Sequence, residues 1–216
     1  MYSAFEKQPQ EKKELIINVA IEEFVKNGYD KASTDIITSR AGISKGILFH
    51  YFKSKKNLYL YVVTYALKLI IEKTMEALKG VSSPDFFARV KEIYLLKHKI
   101  TGPYIKETQL ISDAILSPPA AVQKEMEEVA NTYYSKYQED FMLEHIYLRE
   151  LIQTDRLREG ITADKVIKMT MFICEQLGNK YQTLYKNKQY DFFSEPDPLV
   201  QELEDYLQII EYGVYR

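Results

Sequence analysis

Apolar side chains recur along this chain with the period of a helix, and the breaks between periodic stretches carry helix stop and start residues. In residues 11–27 the positions Leu15, Ile16, Val19, Ala20, Ile21 and Phe24 form one stripe, and Gly28 supplies a stop. Ser33 or Thr34 can cap a short second helix reaching Ala41, after which Gly42 permits a tight turn. Ser44 caps a third short helix, and Ser54 a long fourth one through about Lys79. Further on, Ser83-Pro84, Gly102-Pro103 and Pro118-Pro119 each open a helix, the last expected to run to about Leu157. Gly160 closes that segment. Thr162 with Asp164 then caps a helix through about Asn187, and Asp197-Pro198 starts a last one ending near Tyr212. No period-two run with hairpin signals interrupts the series. The pattern predicts an all-α chain of about nine helices: a three-helix head over residues 1–56, and a helical body over residues 57–216 that shares the fourth helix with it.

With 216 residues, 46% of them apolar, the chain can bury a core. Its apolar runs, such as residues 58–66, fall short of the ~18 residues of a bilayer span, so no membrane crossing is expected. Cys174 is the single cysteine, no secretory signal pattern opens the chain, and a reducing cytoplasm is the expected location. The net charge of -2 divides unevenly. Residues 1–60 hold ten basic against seven acidic side chains and the remainder nineteen against twenty-four, so a basic head joins an acidic body.

Two short helices around a glycine turn make a helix-turn-helix, whose second helix can enter a major groove. On a helical wheel, Leu48, Tyr51 and Phe52 share one face with Ile37 and Ala41 of the preceding helix. Gly46 and His50 then point outward, flanked by Lys45, Ile47 and Phe49. An outward Gly costs a helix roughly 0.5–1 kcal/mol against Ala, and outward Ile and Phe need an external cover. Duplex DNA suits this face: Gly46 permits close approach, Ile47 can meet a thymine methyl, and Lys45 and His50 can reach acceptors. At the start of the fourth helix, Lys55 and Lys56 stand where the dipole prefers acidic residues, which makes an anion site.

Residues 33–58, STDIITSRAGISKGILFHYFKSKKNL, strongly resemble the DNA-binding signature of the tetracycline-repressor-like (TetR) family. The resemblance extends upstream through IINVAIEEFVKNGYDKAS; beyond these fifty or so residues only the helix count and TDRLREGITADKV fit. It implies a homodimeric regulator, usually a repressor, that binds double-stranded DNA and is released by a small-molecule effector. Thr34 falls where the family contacts DNA at the start of helix two, and Lys45, Gly46, Ile47, Phe49, His50 and Tyr51 fall in the recognition helix capped by Ser44. Lys55 matches the phosphate-binding lysine. Ile47 replaces a common Thr, Phe49 a common Tyr, and Lys56 a frequent acidic residue, so one phosphate hydrogen bond is missing and a positive charge is gained.

The body holds most of the eighteen tyrosines. Tyr65, Tyr94, Tyr104, Tyr133 and Tyr137, with His98 and Phe141 by helix position, are the candidate lining of an apolar pocket, the ligand site that the resemblance implies. The apolar run Val166, Ile167, Met169, Met171, Phe172 and Ile173 is too broad for one buried face, which agrees with dimerisation through the last two helices. Catalysis finds no support: His50, His98 and His145 have no metal-ligand spacing, Cys174 has no neighbouring base, and no phosphate loop occurs, so neither metal nor cofactor is expected. A helical protein-binding adaptor is the alternative, since it too would cover Ile47 and Phe49.

Overall fold

A computed structural model describes residues 2–132, 145–191, 195 and 197–216. The helices are α1 (Ser3–Glu6), α2 (Gln10–Lys31), α3 (Thr34–Arg40), α4 (Lys45–Phe52), α5 (Lys55–Leu78), α6 (Phe86–Thr101), α7 (Ile105–Leu116), α8 (Gln123–Ala130), α9 (Ala163–Lys186) and α10 (Asp197–Val214). No strand occurs among the described residues, where an isolated bridge joins Leu157 to Tyr215. The all-α reading holds.

Local chemistry accounts for most boundaries. The side chains of Ser33, Ser44 and Thr162 accept hydrogen bonds from the amides of Ile36, Ile47 and Lys165, which is the N-cap bond. α2 continues three residues beyond Gly28, which has φ +68° and breaks the helical path there. α6 begins later than Ser83-Pro84 suggests because Asp85 is the cap, its carboxylate accepting from the Ala88 amide at 2.8 Å.

The expected single helix from Pro119 to Leu157 is corrected. A 3-10 turn, Ala120–Val122, leads into α8, and residues 149–156 carry only the 3-10 turns Arg149–Leu151 and Thr154–Arg156. Long-range packing overrides the local period here: Ile146, Tyr147 and Ile152 are buried, while the Arg158 amide donates to the Val214 carbonyl and the Arg216 amide to that of Arg156.

The chain forms two compact units. One contains residues 2–71 with 104–131; α2 packs on α3 and α7, and Ile16, Phe24, Ile37, Leu48, Leu58 and Leu110 lie in its core. The other comprises residues 72–103 and the described part of 132–216, where α10 packs on α9 and α6 around Phe86, Ile93, Val166, Leu177 and Leu203. α5 runs unbroken from the first set of residues into the second.

Candidate nucleic-acid interface

The turn between α3 and α4 is set by Gly42. With φ +64° it lets the Gly42 amide reach the Ser39 carbonyl and the Ile43 amide reach the Thr38 carbonyl, the paired bonds of a Schellman end. An L side chain at this backbone angle would be strained. α4 leaves the turn capped by Ser44, packs on α3 and buries Leu48, Tyr51 and Phe52, while Ile37 and Ala41 are buried as well. Its exit is equally sharp: Lys53 has φ +66°, and the Ser54 amide donates to the Phe52 carbonyl at 2.8 Å, so only Lys53 and Ser54 separate α4 from α5.

A second, less legible feature orients this unit. Glu23 is 3% exposed, and its Oε1 accepts from the Ser33 amide and the Asn27 side chain, each at 2.9 Å. A carboxylate on α2 thus satisfies a donor at the entry of α3 and fixes where that helix begins. Its neighbour Glu22 pairs with Lys106 and Arg40, which hold its carboxyl below the usual range. Neither glutamate belongs to the apolar stripe of this helix. Only the need of buried amides for an acceptor could have singled out Glu23. Glu23→Ala is expected to cost about 1–3 kcal/mol in chemical denaturation, because the Ser33 amide loses its partner.

Lys45, Gly46, Ile47 and His50 lie exposed along the outer face of α4, with Ile47 39% exposed. Phe49 is half-buried, so the expectation that nothing within the domain covers it is corrected: its position on the helix shelters part of the ring. Tyr51 belongs to the inner face, and its hydroxyl accepts from Lys12 Nζ at 3.4 Å. Thr34 is half-buried in the first turn of α3. Lys45 pairs with Asp35 at 2.9 Å, an exposed bridge that can yield to a stronger anion.

At the start of α5, the Ser54 hydroxyl accepts from the Asn57 amide at 3.1 Å, and no acidic residue occupies the first turn. Lys55 Nζ donates to the Asp30 carbonyl at 3.0 Å and lies 5.0 Å above the Tyr29 ring; Lys56 Nζ pairs with Glu125 at 2.5 Å. The lysines are therefore held at the helix entrance by neighbours from α2 and α8. A face combining a bare glycine, an exposed β-branched side chain and basic groups at a helix N-terminus can grip phosphate and approach base edges.

Tyr65 and Tyr104 lie in the first unit and Tyr94 in the second; Tyr133, Tyr137 and Phe141 lie outside the described residues. His98 lies on α6. Tyr94 donates its hydroxyl to the Cys174 carbonyl at 3.3 Å. Cys174 is buried, which pushes its thiol up even though Tyr147 hydrogen-bonds to it. Because the thiolate is the reacting form, labelling of the native protein by a thiol reagent at neutral pH is expected to be at least about tenfold slower than in denaturant.

In the second unit, α9 leaves Met169 52% and Phe172 55% exposed, and α10 leaves Ile209 68% and Tyr212 77% exposed. Spacings of three place each pair on one face of its helix. Among the described residues no helix is long and apolar enough to cross a membrane.

Residues 16–62 match the family model described as bacterial regulatory proteins, tetR family. The chain is similar to the HTH-type transcriptional regulator UidR of Escherichia coli, 26% identical over 121 residues, 56% of this chain and 61% of that protein. It thus spans about three fifths of the length of the first curated relatives it matches. The HTH-type transcriptional regulator QacR of Staphylococcus aureus is 43% identical over 51 residues, 24% of this chain and 27% of that one. A crystal structure of a TetR family transcriptional regulator from Chloroflexus aurantiacus shares the fold, with a TM-score of 0.55 at 24% identity, covering 99% of this chain and 98% of that one.

Proposed function

We propose that this chain, a member of the tetR family of bacterial regulatory proteins through its residues 16–62, works as a dimeric, ligand-responsive transcriptional regulator in the cytoplasm. Residues 1–56 bind DNA and residues 57–216 dimerise and sense. The observation that carries the reading is the outer face of α4, where Gly46 has no neighbour within 3.5 Å of a would-be side chain and Ile47 lies open beside Lys45 and His50. A helix that only filled a corner would gain from Ala at that glycine and from a polar residue at Ile47. The paired apolar faces of α9 and α10 suit an isologous interface with a second copy. Two recognition helices, one from each copy and about 34 Å or more apart, would then read a pseudo-palindromic operator. The effector is a small apolar or aromatic molecule, and its binding releases the operator, so the protein represses.

Titration of DNA from the gene's own upstream region tests this. Affinity is expected to fall steeply with salt as phosphate counterions are displaced. Lys55→Ala is expected to weaken every sequence alike and to flatten the salt slope by about one, whereas Ile47→Ala changes which sequences are preferred. Two variants with the same profile would overturn the assigned roles. A folded dimer that ignored all such fragments at low ionic strength, with and without cell metabolites, would remove the reading itself.

A further inference from the structure

α4 is too short to hold its own orientation. Eight residues make little more than two turns, and an isolated helix of that length does not persist in water. Its direction comes from what its inner face touches, and that face consists of Leu48, Tyr51 and Phe52. Two of the three meet a segment ahead of the helix-turn-helix. Phe5 of α1 is fully buried, with its ring 5.5 Å from Tyr51, 4.8 Å from Phe52 and 5.3 Å from Tyr61 of α5. Tyr2 adds a second layer, 5.8 Å from Phe52 and 4.8 Å edge-on to Tyr61, and donates its hydroxyl to the Asn57 carbonyl at 3.3 Å.

Polar bonds fasten the same segment on both sides. Glu6 accepts from the Tyr61 hydroxyl at 2.7 Å and pairs with Lys13 of α2 at 3.5 Å. Lys12 bridges Gln8 and the Tyr51 hydroxyl, at 3.1 and 3.4 Å. α1 is thus tied to α2 and to the first turns of α5, and it presses its aromatic ring into the wedge between α4 and α5. That wedge is the place where the two-residue link Lys53-Ser54, with Lys53 at positive φ, turns the chain from α4 into α5, so the covalent spacer between the two helices is short.

We propose that residues 2–8 belong to the DNA-binding machinery as positioning residues: Phe5, acting through Tyr51 and Phe52, sets the angle at which α4 presents Lys45, Gly46, Ile47 and His50. No side chain of this segment has to touch DNA for the effect. The proposal rests on the regulator reading above, and its test is arranged so that the two can fail separately.

The experiment compares the full chain with Phe5→Ala and Phe5→Leu, at a temperature where circular dichroism shows each fully folded. Operator affinity is one readout and amide hydrogen exchange of α4 against α9 is the other. With Phe5→Ala, affinity is expected to fall at least tenfold and the α4 amides to exchange at least tenfold faster, while α9 keeps its protection. Phe5→Leu, which refills most of the apolar volume, is expected to recover most of both. Parental affinity in folded Phe5→Ala overturns the proposal, whatever its exchange rates; so does exchange that quickens equally in α4 and α9, the mark of a general stabiliser. If Phe5→Ala does not fold, Phe5→Leu decides, a threefold loss with faster α4 exchange supporting the proposal and parental values overturning it. If the unaltered protein binds no DNA, the regulator reading has failed, and the exchange comparison alone decides whether Phe5 holds α4.

Discussion

A chain carrying Phe172→Asp together with Ile209→Asp is expected to sediment as a folded monomer at micromolar concentration, where the unaltered protein is expected to be a dimer. Both side chains are more than half exposed in the single chain, so their replacement leaves the core around Leu177 and Leu203 untouched. Burying such a side chain in an interface contributes about 1.5–3 kcal/mol, and twofold symmetry counts each of them twice. The substitutions remove that gain and place four carboxylates where water is excluded, each with its own desolvation cost. DNA binding is expected to follow. A monomer reads one half-site, and losing the tethered second head lowers apparent operator affinity by roughly 10²-fold or more. Circular dichroism checks the fold, sedimentation the assembly and a gel shift the affinity. A double variant that stayed dimeric would show that the α9 and α10 faces are not the interface.

Gly46→Ala is expected to move stability and function in opposite directions. The backbone at Gly46 is helical, and a Cβ there would meet only the Ser44 hydroxyl, at 3.8 Å, an ordinary contact. Alanine is therefore free to contribute its intrinsic preference, about 0.5–1 kcal/mol, and the melting temperature is expected to rise by a few degrees. In the proposed complex with DNA the same methyl group would stand between α4 and the groove. A close approach to a base edge or phosphate leaves no room for it, and a loss of tenfold or more in affinity, about 1.4 kcal/mol, is expected. An ordinary helical corner would show the gain without the loss. Tighter or unchanged DNA binding by the alanine variant would mean that DNA does not approach α4 at this residue.

Much of the candidate site was legible because its signals are local. Ser33 and Ser44 cap α3 and α4 through hydrogen bonds three residues long, and the Gly42 turn needs one residue with positive φ; chemistry of that range is written in adjacent letters. The exposed strip of Gly46, Ile47 and His50 follows from the wheel of an eight-residue helix. Phe49, which the wheel places on the flank of the outer face, is half-buried, since angular position on a wheel does not say how far a neighbouring element reaches. A pocket leaves a weaker trace than a cap or a turn, because tyrosines on different helices share no periodicity and only long-range packing can bring them together.

By itself the sequence determined the helical class, most helix spans, their caps, and the head that can face DNA, all of which depend on interactions within a few residues. Only the tertiary structure decided that residues 149–156 leave the helical path, with Leu157 bridging Tyr215, that Glu23 turns inward to serve Ser33, and that Phe5 braces α4. Each of these pairs residues ten to fifty-eight positions apart, and the free energy of such a contact depends on burial and on an unmet hydrogen bond that no local pattern encodes.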